Sequence, residues 1–185
     1  LLKNSFVSFI GEGGAGVITF LATIILIRLI GSRDYGILAV AYSFVTIIDK
    51  LVNFQSWHAM ITFGSEAKEK KDYGLLERLI KIGSIIDFST AALSTIISIG
   101  IAAFFGNLLN WNELTIQCIY ILAFMSMFNF TGTSIGIIRL LDKFKLFSIY
   151  RIITEIFRLV LIIILCGVLK LGLVGAAFAY ALGYI

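Results

Sequence analysis

Two oppositely charged side chains, Asp49 and Lys50, lie next to each other within the largely apolar stretch VTIIDKLVNFQSWHAM, residues 45–60. In a membrane-spanning helix a central charge costs a few kcal/mol, so it normally faces protein or a watery cavity. At about 100° per residue, the pair falls on one polar helix face. An ion pair that locks helix packing and a contact to a substrate or ion both fit this pattern. The face comprises Tyr42, Thr46, Asp49, Lys50, Asn53, Ser56 and Trp57, and Val40, Phe44, Ile47 and Leu51 lie opposite.

A second polar stripe follows residue 150, where Arg151, Glu155 and Arg158 share one helix face. The planar guanidinium of arginine suits bidentate contact with phosphate. The stripe therefore predicts a site for an anionic headgroup. The alternative is that these long side chains, Arg151 above all, extend to the membrane interface.

Two further carboxylates, Glu12 and Asp87, lie within stripes of small and polar residues. Such stripes are typical of close helix packing, but a buried carboxylate also needs a partner or a proton. The stripes are Ser5, Ser8, Glu12, Gly16, Thr19 and Thr23; Ser84, Asp87, Ala91, Ser94, Ser98 and Ala102; and Ser126, Asn129, Thr133 and Gly136.

The composition indicates whether these residues lie in a soluble protein or in a membrane protein. Of the 185 residues, 59% are hydrophobic, 14% are charged and none is proline. In soluble domains about 45 to 50% of the residues are hydrophobic and about 25% are charged. A helix needs about 20 apolar residues to cross the bilayer. We therefore expect an all-α, polytopic membrane helix bundle. Five stretches qualify, residues 6–30, 37–63, 82–105, 115–138 and 150–169, and a sixth begins near residue 171 and is cut off.

Basic residues are distributed unequally between the connections. Those after the second and fourth stretches are rich in Lys and Arg, whereas residues 106–114 have none. Because basic loops remain in the cytoplasm, we predict a cytoplasmic N-terminus. The net charge of +4 then favours attraction to an anionic leaflet over nucleic-acid binding. The basic residues are Lys68, Lys70, Lys71, Arg78 and Lys81, and Arg139, Lys143, Lys145 and Arg151.

The sequence contains few of the motifs that are typical of enzyme active sites. There is a single His, no glycine-rich phosphate loop next to a strand and no metal-ligand cluster, and Cys118 and Cys166 lie in apolar surroundings typical of packing. We expect no enzymatic activity and no bound cofactor. The tripeptide DYG at residues 34–36 and 72–74 predicts that each Asp caps a following helix. Polar faces on several spans are typical of a transport pathway.

Three segments resemble the bacterial lipopolysaccharide and O-antigen flippases of the multidrug, oligosaccharidyl-lipid and polysaccharide exporter superfamily. They are FLATIILIRLIGSRDYGILAVAYSFVTIIDKLVNFQSWHAMITFGSEA, TGTSIGIIRLLDKFKLF and LGLVGAAFAYALGYI. The strongest element is the pattern formed by Arg28, Gly31, Tyr35 and Gly36, and the similarity covers the whole chain.

The resemblance implies a fold of two six-helix lobes in the bacterial inner membrane, with residues 1–185 as the N-terminal lobe and the C-terminal lobe missing. Such proteins move an undecaprenyl-pyrophosphate-linked oligosaccharide between leaflets by alternating access, for surface polysaccharide biosynthesis. On this basis Lys50, Arg151, Arg158 and Asn53 are the expected substrate-binding residues. Glu12, Asp49 and Asp87 are the expected ion-coupling carboxylates, with a Na+ or proton gradient as the driving force. A polysaccharide polymerase is a candidate partner.

Two other functions are compatible with these features. A multidrug or cation extruder of the same superfamily requires a net acidic, aromatic cavity. A membrane-embedded polysaccharide polymerase or glycosyltransferase requires an aqueous loop with catalytic residues.

Overall fold

The computed structural model describes residues 2–53, 56–106, 108, 110–128 and 131–183, with side chains from Glu12 onward. Within these ranges the chain forms α-helices and a π-helical segment, and no strand. The helices are α1 (Leu2–Ile30), α2 (Ser32–Val52), α3 (Ser56–Glu69), α4 (Tyr73–Phe105), α5 (Glu113–Ser126), α6 (Gly132–Leu140), α7 (Phe144–Ile162) and α8 (Gly172–Leu182), and the π-helical segment Ile163–Val168 extends α7.

Three stretches are long and apolar enough to cross a membrane: Glu12–Ile30, Ser32–Glu69 and Tyr73–Phe105. The α5 and α8 helices are apolar but shorter, and α7 carries Arg151, Glu155 and Arg158 within its length. The all-α fold is thus confirmed. The count of six spans and their grouping into one lobe stay predictions.

Two of the predicted spans are interrupted. The stretch 37–63 divides into α2 and α3, because Asn53 adopts an extended backbone (φ −71°, ψ 122°) and ends α2. The stretch 115–138 divides into α5 and α6, with a turn at Met127 and Phe128 and a new helix from Gly132. The predicted spans themselves stay predictions; sequence hydrophobicity does not register breaks that tertiary contacts fix within them.

The third predicted span, 82–105, is longer than expected. The α4 helix has 33 residues, or about 50 Å at 1.5 Å per residue, and it includes Arg78 and Lys81 before the apolar stretch. Asp72 caps it, since its carboxylate accepts a hydrogen bond from the Leu75 N–H at 2.9 Å. The capping prediction is confirmed at Asp72. It was wrong at Asp34, which lies inside α2.

The core lies where α2, α4, α5 and α8 meet, with α7 packed between α1 and α8. Small residues such as Ala123 and Ala176 are fully buried there and allow close approach of the helices. Cys118 and Cys166 are buried and free within the same core, as their apolar surroundings predicted. A second packing unit consists of α3, α6 and the adjoining part of α4. The fully buried larger side chains include Leu26, Leu38, Ile119 and Ile162.

Candidate functional site

A cleft of about 600 Å³ opens between α1, α2, α6 and α7. We call it the cationic cleft, because Lys50, Arg151 and Arg158 all line it. Asn53 lines it too, so the structure brings together the four residues predicted to bind substrate. The remaining lining residues are Thr19, Tyr42, Asp49, Trp57, Thr131, Gly132, Ile135, Phe147, Tyr150, Thr154, Glu155 and Gly183.

Helical periodicity places the α2 side chains on the cleft. Tyr42, Asp49 and Lys50 lie on the face toward the cleft, at helical spacing. On the other side of the helix, Ile47 and Leu51 are 57% and 77% exposed, as expected for side chains that contact lipid. Phe44, expected on the lipid side, instead packs edge-to-face against the Trp111 ring at a centroid distance of 4.9 Å.

Both helix interruptions border the cationic cleft. Asn53, which ends α2, contributes to its lining, and so do Thr131 and Gly132, where α6 begins. At membrane depth, non-helical backbone is tolerated only where it is buried in protein or lines a watery cavity. The interruptions therefore support a hydrated cleft.

Arg158 is the most deeply placed cation of the cleft and is 8% exposed. Its Nη2 donates to the Glu155 carboxylate and, at 3.3 Å, to the Thr19 hydroxyl. The guanidinium also lies over the Tyr180 ring, 5.1 Å from its centroid. Among the described residues, its buried Nε has no hydrogen-bond partner. The ion pair, the hydroxyl contact and the ring together fix the orientation of this buried guanidinium.

The charged lining of the cleft favours an anion. Lys50 and Arg151 are exposed, and with Arg158 they outnumber the two carboxylates, Asp49 and Glu155. Because Glu155 already pairs with Arg158, the cations available to a ligand are chiefly Lys50 and Arg151. These two side chains come from α2 and α7, on separate walls of the cleft.

Asp87 lies outside the cleft and is 2% exposed. Its carboxylate accepts hydrogen bonds from the Ser56 hydroxyl and, at 2.6 Å, from the Thr133 N–H. Ser56 and Thr133 lie in the first turns of α3 and α6, whose N-termini carry partial positive charge. The Asp87 carboxylate therefore offsets part of the charge of both helix ends. Its predicted role in ion coupling stays a prediction.

Glu12 is exposed on α1 and does not line the cleft, whereas Asp49, the third predicted carboxylate, does. The stripe around Asp87 behaves as a packing seam, since Ala91, Ser94, Ser98 and Ala102 are buried. In the stripe of Glu12, by contrast, Gly16 is exposed and Thr19 and Thr23 are half-buried. The predictions for Ser5, Ser8 and Asn129 fall outside the side chains that the structure describes.

Sequence reasoning missed several side chains that complete the cleft. Glu155 is not one of them: the sequence placed it on one face with Arg151 and Arg158, and only its ion pair with Arg158 was not predicted. The aromatic walls, Phe147 and Tyr150, have no comparable signal in the sequence, because aromatic residues are frequent throughout the chain. Among the described residues there is no group of three potential metal ligands.

Comparison with known proteins gives one family match. The model described as "Polysaccharide biosynthesis protein" matches residues 1–185. No curated protein and no solved structure matches the chain at a significant level.

Proposed function

The chain belongs to the polysaccharide biosynthesis protein family, and from this premise we propose that it forms the N-terminal lobe of a lipid-linked oligosaccharide flippase. The expected cargo is an undecaprenyl-pyrophosphate-linked oligosaccharide, such as a unit of O-antigen, moved across the bacterial inner membrane by alternating access. Membership of the family supports a role in polysaccharide synthesis or export. The flippase activity and the cargo are the proposal.

One observation carries the proposal: three cations and both helix interruptions border the same 600 Å³ cleft. Discontinuous helices at mid-membrane depth are typical of substrate sites in transporters. The cleft is also within the size range of small-molecule sites, about 300 to 1,000 Å³. It therefore has the charge and the volume that a pyrophosphate headgroup requires.

In this proposal the cations of the cleft have different roles. Lys50 and Arg151 bind the pyrophosphate, because both are exposed in the cleft. Arg158 orients the pyrophosphate, since the ion pair with Glu155 holds this guanidinium in place. The Asn53 amide, at the end of α2, adds a neutral hydrogen-bonding group.

For ion coupling we propose Asp49, which lies beside Lys50 on the cleft. A Na+ ion or proton bound at this carboxylate would make the net charge beside Lys50 more positive. The attraction of Lys50 for an anionic substrate would then increase. We retain Glu12 and Asp87 as weaker alternatives, because neither lines the cleft. The cytoplasmic N-terminus and association with a polysaccharide polymerase belong to the same proposal.

The cleft charges favour this function over the alternatives. An extruder of cationic drugs requires a net negative cleft, whereas here the cations outnumber the carboxylates. A polymerase or glycosyltransferase would place acidic and basic catalytic groups in an aqueous loop, and the described connections between the helices are short.

The test is translocation of labelled lipid-linked oligosaccharide by the protein expressed from its complete reading frame and reconstituted into liposomes. Wild type should move the label to the opposite leaflet, and runs with and without Na+ and proton gradients identify the driving ion. Lys50→Ala should abolish translocation while leaving insertion and thermal unfolding unchanged.

The matched control is Lys145→Ala, which removes an exposed lysine that does not line the cleft. It should translocate like wild type. Wild-type activity of an inserted Lys50→Ala protein would remove this residue from the mechanism.

A further inference from the structure

A narrow groove of about 100 Å³ runs between α3 and α4. We call it the α3–α4 groove. Apart from the Ser56 hydroxyl, its lining is apolar. It is separate from the cationic cleft, since no residue lines both. Its lining residues are Ser56, Ala59, Met60, Leu79, Ile82, Gly83 and Ile86.

The groove opens on the outer surface of the helix pair. Ala59 is exposed on α3, and on α4 the side chains of Ile82 and Ile86 are 55% and 36% exposed. Because Ile82 and Ile86 are four residues apart, they share one side of α4. In a bilayer, lipid therefore contacts the groove directly, and the apolar lining suits an acyl chain.

The groove lies where the charged part of α4 meets its apolar part. Arg78 and Lys81 precede the apolar stretch that begins at Ile82. On α4 the groove extends from Leu79 to Ile86, or about 10 Å at 1.5 Å per residue. The boundary between headgroups and hydrocarbon therefore falls near the end of the groove at Leu79, and a lipid bound there has its headgroup beside these cations.

Arg78 is the cation best placed for such a headgroup. It precedes Leu79 in the chain and lies four residues before Ile82, on the same side of α4. Among the described residues, no carboxylate is within ion-pair distance of the exposed Arg78, whereas Lys81 pairs with Glu77 at 2.7 Å. An arginine fork suits bidentate contact with phosphate. A headgroup that carries an amine would add a second cation here, so the charge favours an anionic lipid.

The groove also borders the hydrogen bonds of Asp87. Ser56, which lines the groove, donates its hydroxyl hydrogen to the Asp87 carboxylate. A Cβ on Gly132, which lines the cationic cleft, would lie 2.6 Å from the same Ser56 oxygen. One hydroxyl group therefore lies between the groove and the cleft. An acyl chain in the groove would pack against the first turn of α3, where the second helix of the interrupted stretch begins.

We propose that the α3–α4 groove binds one acyl chain of an anionic phospholipid whose phosphate contacts Arg78. The lipid fills the space between the two helices and stabilises α3 in its position beside the cleft. This site does not depend on the proposed function, since none of its residues lines the cleft. It also differs from the general attraction of basic loops to an anionic leaflet, which requires no groove.

The experiment uses the protein expressed from its complete reading frame, held in nanodiscs of phosphatidylcholine alone or mixed with phosphatidylglycerol. Native mass spectrometry counts the lipids that stay bound, and thermal unfolding reports stability. Wild type should retain phosphatidylglycerol over phosphatidylcholine by about fivefold, as expected for one cation near a headgroup. It should also unfold at a higher temperature in the mixed discs, because a ligand of the folded state stabilises it.

Two variants remove the two parts of the site separately. Arg78→Gln should reduce the preference for phosphatidylglycerol to near unity, while its unfolding temperature in phosphatidylcholine stays that of wild type. Ala59→Phe places a ring in the groove and should exclude the acyl chain. Retention of both lipids should then fall, and phosphatidylglycerol should no longer raise the unfolding temperature.

The matched controls are Lys145→Gln and Ile96→Phe. Lys145 is an exposed cation outside the groove, and Ile96 is a 66% exposed side chain of α4 that also lies outside it. Both control variants should retain lipid and unfold like wild type.

Loss of lipid preference confined to Arg78→Gln and Ala59→Phe would support the site. Equal retention of the two lipids by wild type would overturn it, and so would a wild-type preference in Arg78→Gln. A loss in Lys145→Gln as large as in Arg78→Gln would also overturn it, because the attraction would then come from surface charge in general. If Ala59→Phe does not fold, the comparison of Arg78→Gln with Lys145→Gln decides.

Discussion

The Asp87 carboxylate accepts a hydrogen bond from the Thr133 N–H at 2.6 Å and another from the Ser56 hydroxyl. One side chain on α4 thereby connects the first turns of α3 and α6, the two helices that begin after the interruptions. Gly132 is required at this junction, because a Cβ there would lie 2.6 Å from the Ser56 Oγ and 2.9 Å from the Asp87 Oδ1.

We predict that Asp87→Ala destabilises the protein by about 2 to 4 kcal/mol, since two buried donors lose a charged acceptor. The measurement is thermal or chemical unfolding in detergent. Glu69→Ala, which removes an exposed carboxylate at the end of α3, should change stability by no more than about 0.5 kcal/mol. Equal stability of the two variants would mean that the junction is not held by Asp87.

A second prediction concerns the close crossing of α3 and α6. In Gly136→Ala the new Cβ would lie 2.7 Å from the Met60 Cβ and 3.2 Å from the Trp57 Cα. The helices must separate, and we expect a loss of about 1 to 3 kcal/mol.

Gly100→Ala on α4 is the matched control for that crossing. No atom lies within 4 Å of its added Cβ, so we expect no loss, and a gain of up to about 1 kcal/mol from helix propensity. Both variants are compared by the same unfolding measurement. A Gly136→Ala protein as stable as Gly100→Ala would contradict the close packing.

A third prediction separates structure from transport at the Arg158–Glu155 pair, whose side chains are 9% and 13% exposed. Glu155→Gln leaves a buried guanidinium without its counter-charge and should cost about 3 to 5 kcal/mol. The double variant Glu155→Leu/Arg158→Met replaces both charges with apolar groups and should recover most of that stability.

Translocation provides the second readout for this pair. The recovered double variant should remain inactive, because the proposed headgroup site has lost Arg158. Wild-type translocation by a stable double variant would show that the pair serves packing alone.

A fourth prediction tests whether the cleft is hydrated, using two adjacent residues of α7. Thr154 lines the cationic cleft, whereas Ile153 does not and is 59% exposed on the helix surface. A thiol reacts as its thiolate, which forms in water and not in hydrocarbon. A charged maleimide should therefore label Thr154→Cys faster than Ile153→Cys, by about tenfold or more.

The native cysteines provide the background for this experiment. Cys118 and Cys166 are both buried, so wild type should label slowly. Added undecaprenyl pyrophosphate should protect Thr154→Cys. Equal labelling of the two introduced cysteines would argue against a watery cleft.

The polar face of α2 was predictable because it depends on local geometry. Residues three and four apart share a helix side, and Tyr42, Asp49 and Lys50 do line the cleft together. The same rule failed at Ser56, which contacts Asp87 instead. Ser56 lies beyond the interruption, where helical phase is no longer continuous with α2.

The interruption itself could not be predicted. Residues 53–56 read NFQS, with neither proline nor glycine, so no local signal for a break is present. The stabilising contact comes from Asp87, far along the chain. The spacing of Glu155 and Arg158 could indicate that the two side chains pair. The contact of Arg158 with Thr19, 139 residues away, depends instead on how α1 packs against α7.

The shared dependence of α3 and α6 on Asp87 has a consequence for biosynthesis. Asp87 follows Ser56 by 31 positions in the chain, and Thr133 follows Asp87 by 46. When residues 32–69 leave the ribosome, Asp87 has not yet emerged from the exit tunnel. We therefore expect this segment to enter the bilayer as a continuous helix and to bend only after α4 arrives, so that the cationic cleft forms late in co-translational insertion.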